Sequence, residues 1–211
     1  MDNTIFSWTQ FNTMPLVGII RHFTEEQVRK IMPLYVAAGL STIEITMNTT
    51  GATDLIRQVR HSFPGINTGA GTVCSSADLE AALAAGAQFI VTPVVDKTII
   101  KAAVAANIPV FAGAFTPTEI FTAWQAGASL VKVYPAAVLG PGYIRDIKAP
   151  LSQIRLMPTG GIQLKDIRPY RDAGADGFGI GGPLFDKNII SKENWEGLAR
   201  HFKQFADAVS N

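Results

Sequence analysis

With 211 residues, 47% of them hydrophobic and 17% charged, the chain is long enough to bury a substantial core as one domain. Eighteen Lys and Arg against 17 Asp and Glu leave a formal charge of +1, which excludes a global field that would gather nucleic acid or an anionic membrane, so any anion must be held locally. The lone Cys74 excludes an internal disulfide, and no apolar run reaches membrane-spanning length.

The N-terminus lacks a basic stretch followed by a long apolar one, so a cytoplasmic setting is expected. A leading helix is expected near Thr4–Asn12. From residue 15 onward, short β-branched runs alternate with amphipathic segments at a period of about two dozen residues. The strands expected in chain order are Leu16–Ile20, Thr42–Thr46, Asn67–Gly71, Phe89–Thr92, Val110–Ala112, Leu130–Tyr134, Arg155–Pro158 and Gly177–Ile180. Between them, Thr24-Glu25-Glu26-Gln27, Ser75-Ser76-Ala77-Asp78 and Thr116-Pro117-Thr118-Glu119 carry helix-start signals. Helices end repeatedly in a small-residue phrase closed by Gly39, Gly86, Asn107, Gly127 or Gly174, the residues that adopt a left-handed cap most cheaply. The segment Glu193–Val209, apolar at Trp195, Leu198, Phe202, Phe205 and Val209, reads as the last helix.

Eight βα units in one domain, residues 1–211, predict an α/β fold: a (β/α)8 TIM barrel whose N-terminal helix plugs its bottom, with a doubly wound open sheet as the rival. In a barrel the chemistry sits at the C-terminal ends of the strands, which gathers Arg21, Glu44, Thr72, Thr92-Pro93, Lys132 and Thr159.

Lys132 is the one charge in Leu130-Val131-Lys132-Val133-Tyr134. An ammonium buried there must be paired or deprotonated, and a deprotonated lysine is a nucleophile; the plainer reading is a stem that snorkels to water. Glu44, between Ile43 and Ile45, points to the opposite face from both, which in a closed barrel is the lumen. A catalytic Glu44–Lys132 pair stands against a buried salt bridge that only fixes register. Gly160-Gly161 and Gly181-Gly182, after strands 7 and 8, read as an anion site, with Pro183 expected at the first turn of a short helix aimed at it. His22, His61 and His201 lack metal-ligand spacing, so neither metal nor cofactor is expected. These residues also admit a phosphate-binding isomerase or synthase with Glu44 as base, or a non-catalytic oligomeric barrel.

The phrases Val17-Gly18-Ile19-Ile20-Arg21, Ile43-Glu44-Ile45-Thr46, Gly69-Ala70-Gly71-Thr72-Val73, Val91-Thr92-Pro93, Val131-Lys132-Val133-Tyr134-Pro135, Gly140-Pro141-Gly142-Tyr143-Ile144 and Pro158-Thr159-Gly160-Gly161-Ile162 run through nearly the whole chain. Together they resemble the bacterial 2-keto-3-deoxy-6-phosphogluconate aldolases. The resemblance implies a metal-free, trimeric class I aldolase that releases pyruvate and glyceraldehyde 3-phosphate. It implies Lys132 as the Schiff-base lysine and Glu44 as general acid and base through water. It further implies Arg21, Thr72, Pro93 and Thr159 around the substrate, and Gly160, Gly161, Gly181 and Gly182 at its phosphate. Two departures bear on the substrate. Met47-Asn48-Thr49 is similar to the Leu-Asn-Ser of phosphogalactonate aldolases, whereas Thr159 follows the phosphogluconate branch. Pro183 stands where relatives often place a serine, which admits an unphosphorylated acid such as 4-hydroxy-2-oxoglutarate.

Overall fold

The computed structural model describes residues 5–210. Among them eight parallel strands follow one another as β1 (Leu16–Ile20), β2 (Thr42–Thr46), β3 (Asn67–Gly71), β4 (Ile90–Val91), β5 (Val110–Ala114), β6 (Leu130–Val133), β7 (Leu156–Pro158) and β8 (Phe178–Ile180). Each strand from β1 to β6 pairs with the next, and β8 returns to pair with β1. A single parallel bridge between Thr159 and Gly179 joins β7 to β8 and closes the ring. The fold is therefore a (β/α)8 TIM barrel, and the open doubly wound sheet is excluded.

Helices α1 (Trp8–Thr13), α2 (Glu25–Ala37), α3 (Ala52–Ser62), α4 (Ser76–Ala84), α5 (Lys97–Ala105), α6 (Pro117–Gln125), α7 (Gly140–Lys148), α8 (Ile167–Asp172), α9 (Lys187–Ser191) and α10 (Trp195–Ser210) complete the described chain. The expected starts are present as hydrogen bonds: Thr24 and Thr116 form capping boxes with Gln27 and Glu119, and the Ser75 hydroxyl accepts from the Asp78 N–H. All five expected left-handed caps are observed, at Gly39, Gly86, Asn107, Gly127 and Gly174. These caps redirect the chain into each following strand, which lets a barrel of short units close.

Several boundaries differ from the sequence reading. Phe89 and Thr92 fall outside β4, which is only two residues long, and β5 continues to Ala114 because Ala112, Gly113 and Ala114 pair with Val131, Lys132 and Val133. The first helix starts at Trp8, where the Ser7 hydroxyl caps it; of the expected span, Thr4 lies outside the described residues. The last helix starts at Trp195, two residues after Glu193, whose φ of 50° breaks the chain.

Every residue of the eight strands is buried, so both faces of the sheet are covered. The inward face is filled in two different ways. At the bottom, Val17, Phe89, Val91, Phe111, Leu130 and Met157 form a separate apolar cluster with Phe6 and Phe11 of the N-terminal segment. Phe6 meets Phe89 and Phe111 edge-on with centroids 5.3 and 5.8 Å apart, and Arg155 lies 5.1 Å from the Trp8 ring. Burying one such ring contributes about 2 kcal/mol. The upper half is built from Gly71, Gly113 and Gly179 together with Glu44, Lys132 and Thr159, of which Lys132 and Thr159 line a cavity and Glu44 lies buried behind them.

Candidate active site

Lys132 is held at the floor of that cavity by its place on β6, between Gly113 of β5 and Met157 of β7 in register. It is 4% exposed, so the snorkelling alternative is excluded. Burial holds its ammonium below the ordinary lysine value of 10.5; the Glu44 carboxylate opposes that shift and the Arg21 charge adds to it. The Tyr134 ring, two residues on and therefore on the same face of the strand, lies 5.4 Å from Nζ.

Glu44 is fully buried, and burial pushes its carboxyl above the ordinary range, an effect that the Lys132 and Arg21 charges partly offset. Neither carboxylate oxygen has a hydrogen-bond partner among the described residues. A register-fixing ion pair would show the two groups bonded, so the geometry is that of two nearby groups, each pushed toward its uncharged form. Such a pair can exchange a proton and can attack a carbonyl.

The space for Glu44 comes from Gly71 on the neighbouring strand. A methyl group there would overlap Oε1, so the glycine is needed for close approach and not for a turn. Gly71→Ala should fold, because the obstructed atom is the end of a flexible side chain. The displaced carboxylate should lower kcat by about 100-fold, the usual cost of misplacing a reacting group by an ångström. Steady-state kinetics beside a thermal melt checks this; a fall in kcat that only tracks unfolding would count against it.

Around this pair the other residues take different positions. Arg21 leaves β1 exposed at the mouth, where its guanidinium donates to the Thr72 hydroxyl at 3.3 Å. Thr72 has φ of 55°, an uncommon conformation for a β-branched residue that stores local strain at the site. Thr159 is 2% exposed, its hydroxyl donates to the Met157 carbonyl at 3.3 Å, and Gly179 clears its place. Pro93 does not line the cavity; its backbone packs on Gly113 beside Lys132.

A cavity of about 310 Å³ joins Lys132 and Thr159 to both glycine pairs. Gly160 and Gly161 have φ of 92° and 78°, and a side chain there would meet the Tyr134 ring at 3.0 Å and Ala137 at 2.6 Å, so their backbone can approach an anion directly. Gly181 and Gly182 line the same wall without a left-handed conformation. The expected helix at Pro183 is not formed. The Gly181 carbonyl instead accepts from Leu184 and Phe185 N–H at 2.9 Å each, a single turn that lets both side chains be buried. The helix begins at Lys187, capped by Asp186.

Three polar lining residues were not assigned to the site from the sequence, Tyr134, His22 and Lys187, nor were the apolar Phe23 and Phe185. Alternation from Lys132 would have found Tyr134. His22 directly follows Arg21 at a strand exit, while nothing local marks Lys187, whose position depends on the course of the loop after β8. Among the described residues no group of three or more His, Cys, Asp or Glu is placed to hold a metal ion.

The family model described as KDPG and KHG aldolase matches residues 9–201. The 2-dehydro-3-deoxy-6-phosphogalactonate aldolase of Escherichia coli K12 is 31% identical over 205 residues, covering 93% of this chain and 97% of that protein. The 2-dehydro-3-deoxy-phosphogluconate aldolase of Haemophilus influenzae is 32% identical over 198 residues, covering 93% of each. A solved structure described as native KDPGal superposes with a TM-score of 0.86 at 31% identity, covering 92% of this chain and 94% of that one. A buried lysine and glutamate inside a closed barrel, on a sequence matched over nearly its whole length in this way, make the chain a member of the KDPG and KHG aldolase family of lyases.

Proposed function

We propose that this chain is a class I aldolase that cleaves 2-keto-3-deoxy-6-phosphogluconate to pyruvate and D-glyceraldehyde 3-phosphate through an imine on Lys132. The observation that carries the reading is the buried Lys132 amine, its basicity depressed, on the floor of a cavity with the Glu44 carboxyl close to it. The uncharged amine adds to the C2 carbonyl, giving a carbinolamine. Its hydroxyl leaves as water once protonated, and a carboxyl whose proton affinity is raised by burial is suited to give that proton. The resulting iminium withdraws electrons from C3. Glu44, now ionised, takes the C4 hydroxyl proton, relayed by a water molecule, as the C3–C4 bond breaks. The electron pair remains as a neutral enamine and the aldehyde departs. Protonation at C3 and hydrolysis release pyruvate and restore the amine.

On this reading Arg21, whose guanidinium donates to Thr72, holds the keto-acid carboxylate, and Thr159, which lines the same cavity, meets a substrate hydroxyl. Backbone N–H groups of Gly160, Gly161, Gly181 and Gly182 would surround the phosphate. A second reading, the 6-phosphogalactonate keto acid, is favoured by Met47-Asn48-Thr49, and cleavage of both acids side by side decides between them. We further propose a cytoplasmic homotrimer. The exposed apolar residues Phe115, Trp124 and Val138, with the Phe121 and Trp124 rings 5.6 Å apart, support self-association. No helix among the described residues is long and apolar enough to cross a membrane.

Borohydride with saturating pyruvate should leave one covalent adduct on the peptide containing Lys132. Failure to form any adduct would remove the imine mechanism. Because only the uncharged amine attacks, kcat/KM for cleavage should rise with pH through the Lys132 ionisation. The depressed basicity places that rise well below the 10.5 of an ordinary lysine. A profile still climbing at that value would contradict the burial effect.

A further inference from the structure

The cavity wall carries four basic side chains, Arg21, His22, Lys132 and Lys187, and no carboxylate lines it. Two of these have assigned work: Lys132 at the carbonyl, and Arg21 braced by Thr72. The other two occupy a different end. A neighbouring hollow is also lined by His22 and Lys187, but not by Lys132, Arg21 or Thr159. His22, Phe23 and Lys187 therefore form the partition between the two hollows, and the second hollow does not reach the reacting lysine.

Lys187 is exposed at the rim of the cavity, with its charge open to a ligand there. Among the described residues it forms neither an ion pair nor a side-chain hydrogen bond. Its acidic neighbour Asp186 is already engaged, its carboxylate accepting the N–H groups of Asn188 and Ile189 at 2.7 and 3.1 Å. His22 is held by its own N–H, which donates to the Thr49 hydroxyl at 3.0 Å. The glycines on this wall supply donors without formal charge, and Pro183 supplies neither a hydroxyl nor an N–H. A doubly charged phosphate bound by neutral donors alone would be poorly compensated, whereas a lysine is a compact charge on a stem long enough to follow it.

We propose that Lys187, with His22 beside it, is the side-chain cation that recognises the terminal phosphate of the substrate, and so makes this chain prefer phosphorylated acids despite Pro183. The proposal rests on the aldolase reading above and deepens it. It selects a substrate with an anion at each end: a carboxylate near Arg21 and a phosphate near Lys187.

The test compares kcat/KM for 2-keto-3-deoxy-6-phosphogluconate with that for the same acid lacking the phosphate, in the wild type, Lys187→Met, Lys187→Arg, His22→Asn and Lys192→Met. Loss of a charge-assisted contact should cut the preference for the phosphorylated acid by about tenfold or more in Lys187→Met, mainly through KM. His22→Asn should reduce it less, and Lys187→Arg should retain most of it. Lys192→Met removes an equal charge that lines neither hollow and should leave the preference in place. An unchanged preference in Lys187→Met, or an equal fall in Lys192→Met, would overturn the proposal. Borohydride trapping of pyruvate in the wild type keeps the two readings apart: no adduct there refutes the aldolase mechanism, whereas an adduct with an unaltered preference in Lys187→Met refutes only the role of Lys187.

Discussion

Replacing Lys132 by methionine should lower kcat/KM by at least about 10⁴-fold, since an enzyme stripped of its nucleophile keeps little beyond binding. Lys132→Arg should be nearly as inactive, because a guanidinium stays protonated and cannot form the imine. Arginine retaining more than about a hundredth of the rate, well above the loss expected of a missing nucleophile, would instead indicate an electrostatic role in an isomerase-like reaction. The same methionine variant should melt higher. Lys132 is less basic in the folded chain than in the unfolded one, so between its depressed value and 10.5 the unfolded chain holds more protons and wild-type stability increases with pH. At neutral pH the lysine therefore weakens the fold. Removing it also takes away a charge that opposes the upward shift of Glu44, so burial pushes that carboxyl further toward its protonated form. A gain of about 3 °C is expected from apolar filling of that site, and the pH dependence across the window should flatten. Calorimetry over pH checks both; a variant that melts lower would show that the amine was stabilising.

Glu44→Gln should reduce kcat by about 10²- to 10⁴-fold with a much smaller change in KM, the range expected when a general acid and base is lost. The amide fits the space left by Gly71 but transfers no proton. Its effect can be read on pyruvate alone, without cleavage. In deuterated water the wild type should exchange the methyl protons of pyruvate through the enamine, and Glu44→Gln should do so far more slowly while still giving the borohydride adduct on prolonged incubation. Undiminished exchange would assign the proton transfer at C3 to another group. This experiment separates proton transfer from imine formation, which cleavage rates combine.

Much of this site is visible in the sequence because barrel geometry is periodic. The alternation in Thr42–Thr46 and Leu130–Val133 fixes which way Glu44 and Lys132 face, and the repeated helix caps fix how many units share the ring. What the pattern does not carry is the path of the chain between units. Pro183 looks like a helix start, yet burial of Leu184 and Phe185 draws the loop inward and moves the start to Lys187. Pro93 sits at a strand exit as expected, but β4 is so short that its backbone is spent against Gly113 and does not reach the cavity. Periodicity also says nothing of whether Glu44 and Lys132 bond to each other, since that depends on atomic spacing inside the lumen.

The aromatic layer beneath the cavity has a consequence for anyone shortening the chain. Phe6 and Phe11 belong to the same cluster as Leu130 and Met157, and these are, respectively, two residues before Lys132 on its own strand and its register partner on the next. Trimming the N-terminal segment would leave the reactive end of the barrel intact in outline but would open its underside to hydration. Water rising toward the lysine would restore its affinity for a proton, and the proposed nucleophile would be silenced with every residue of the cavity still in place.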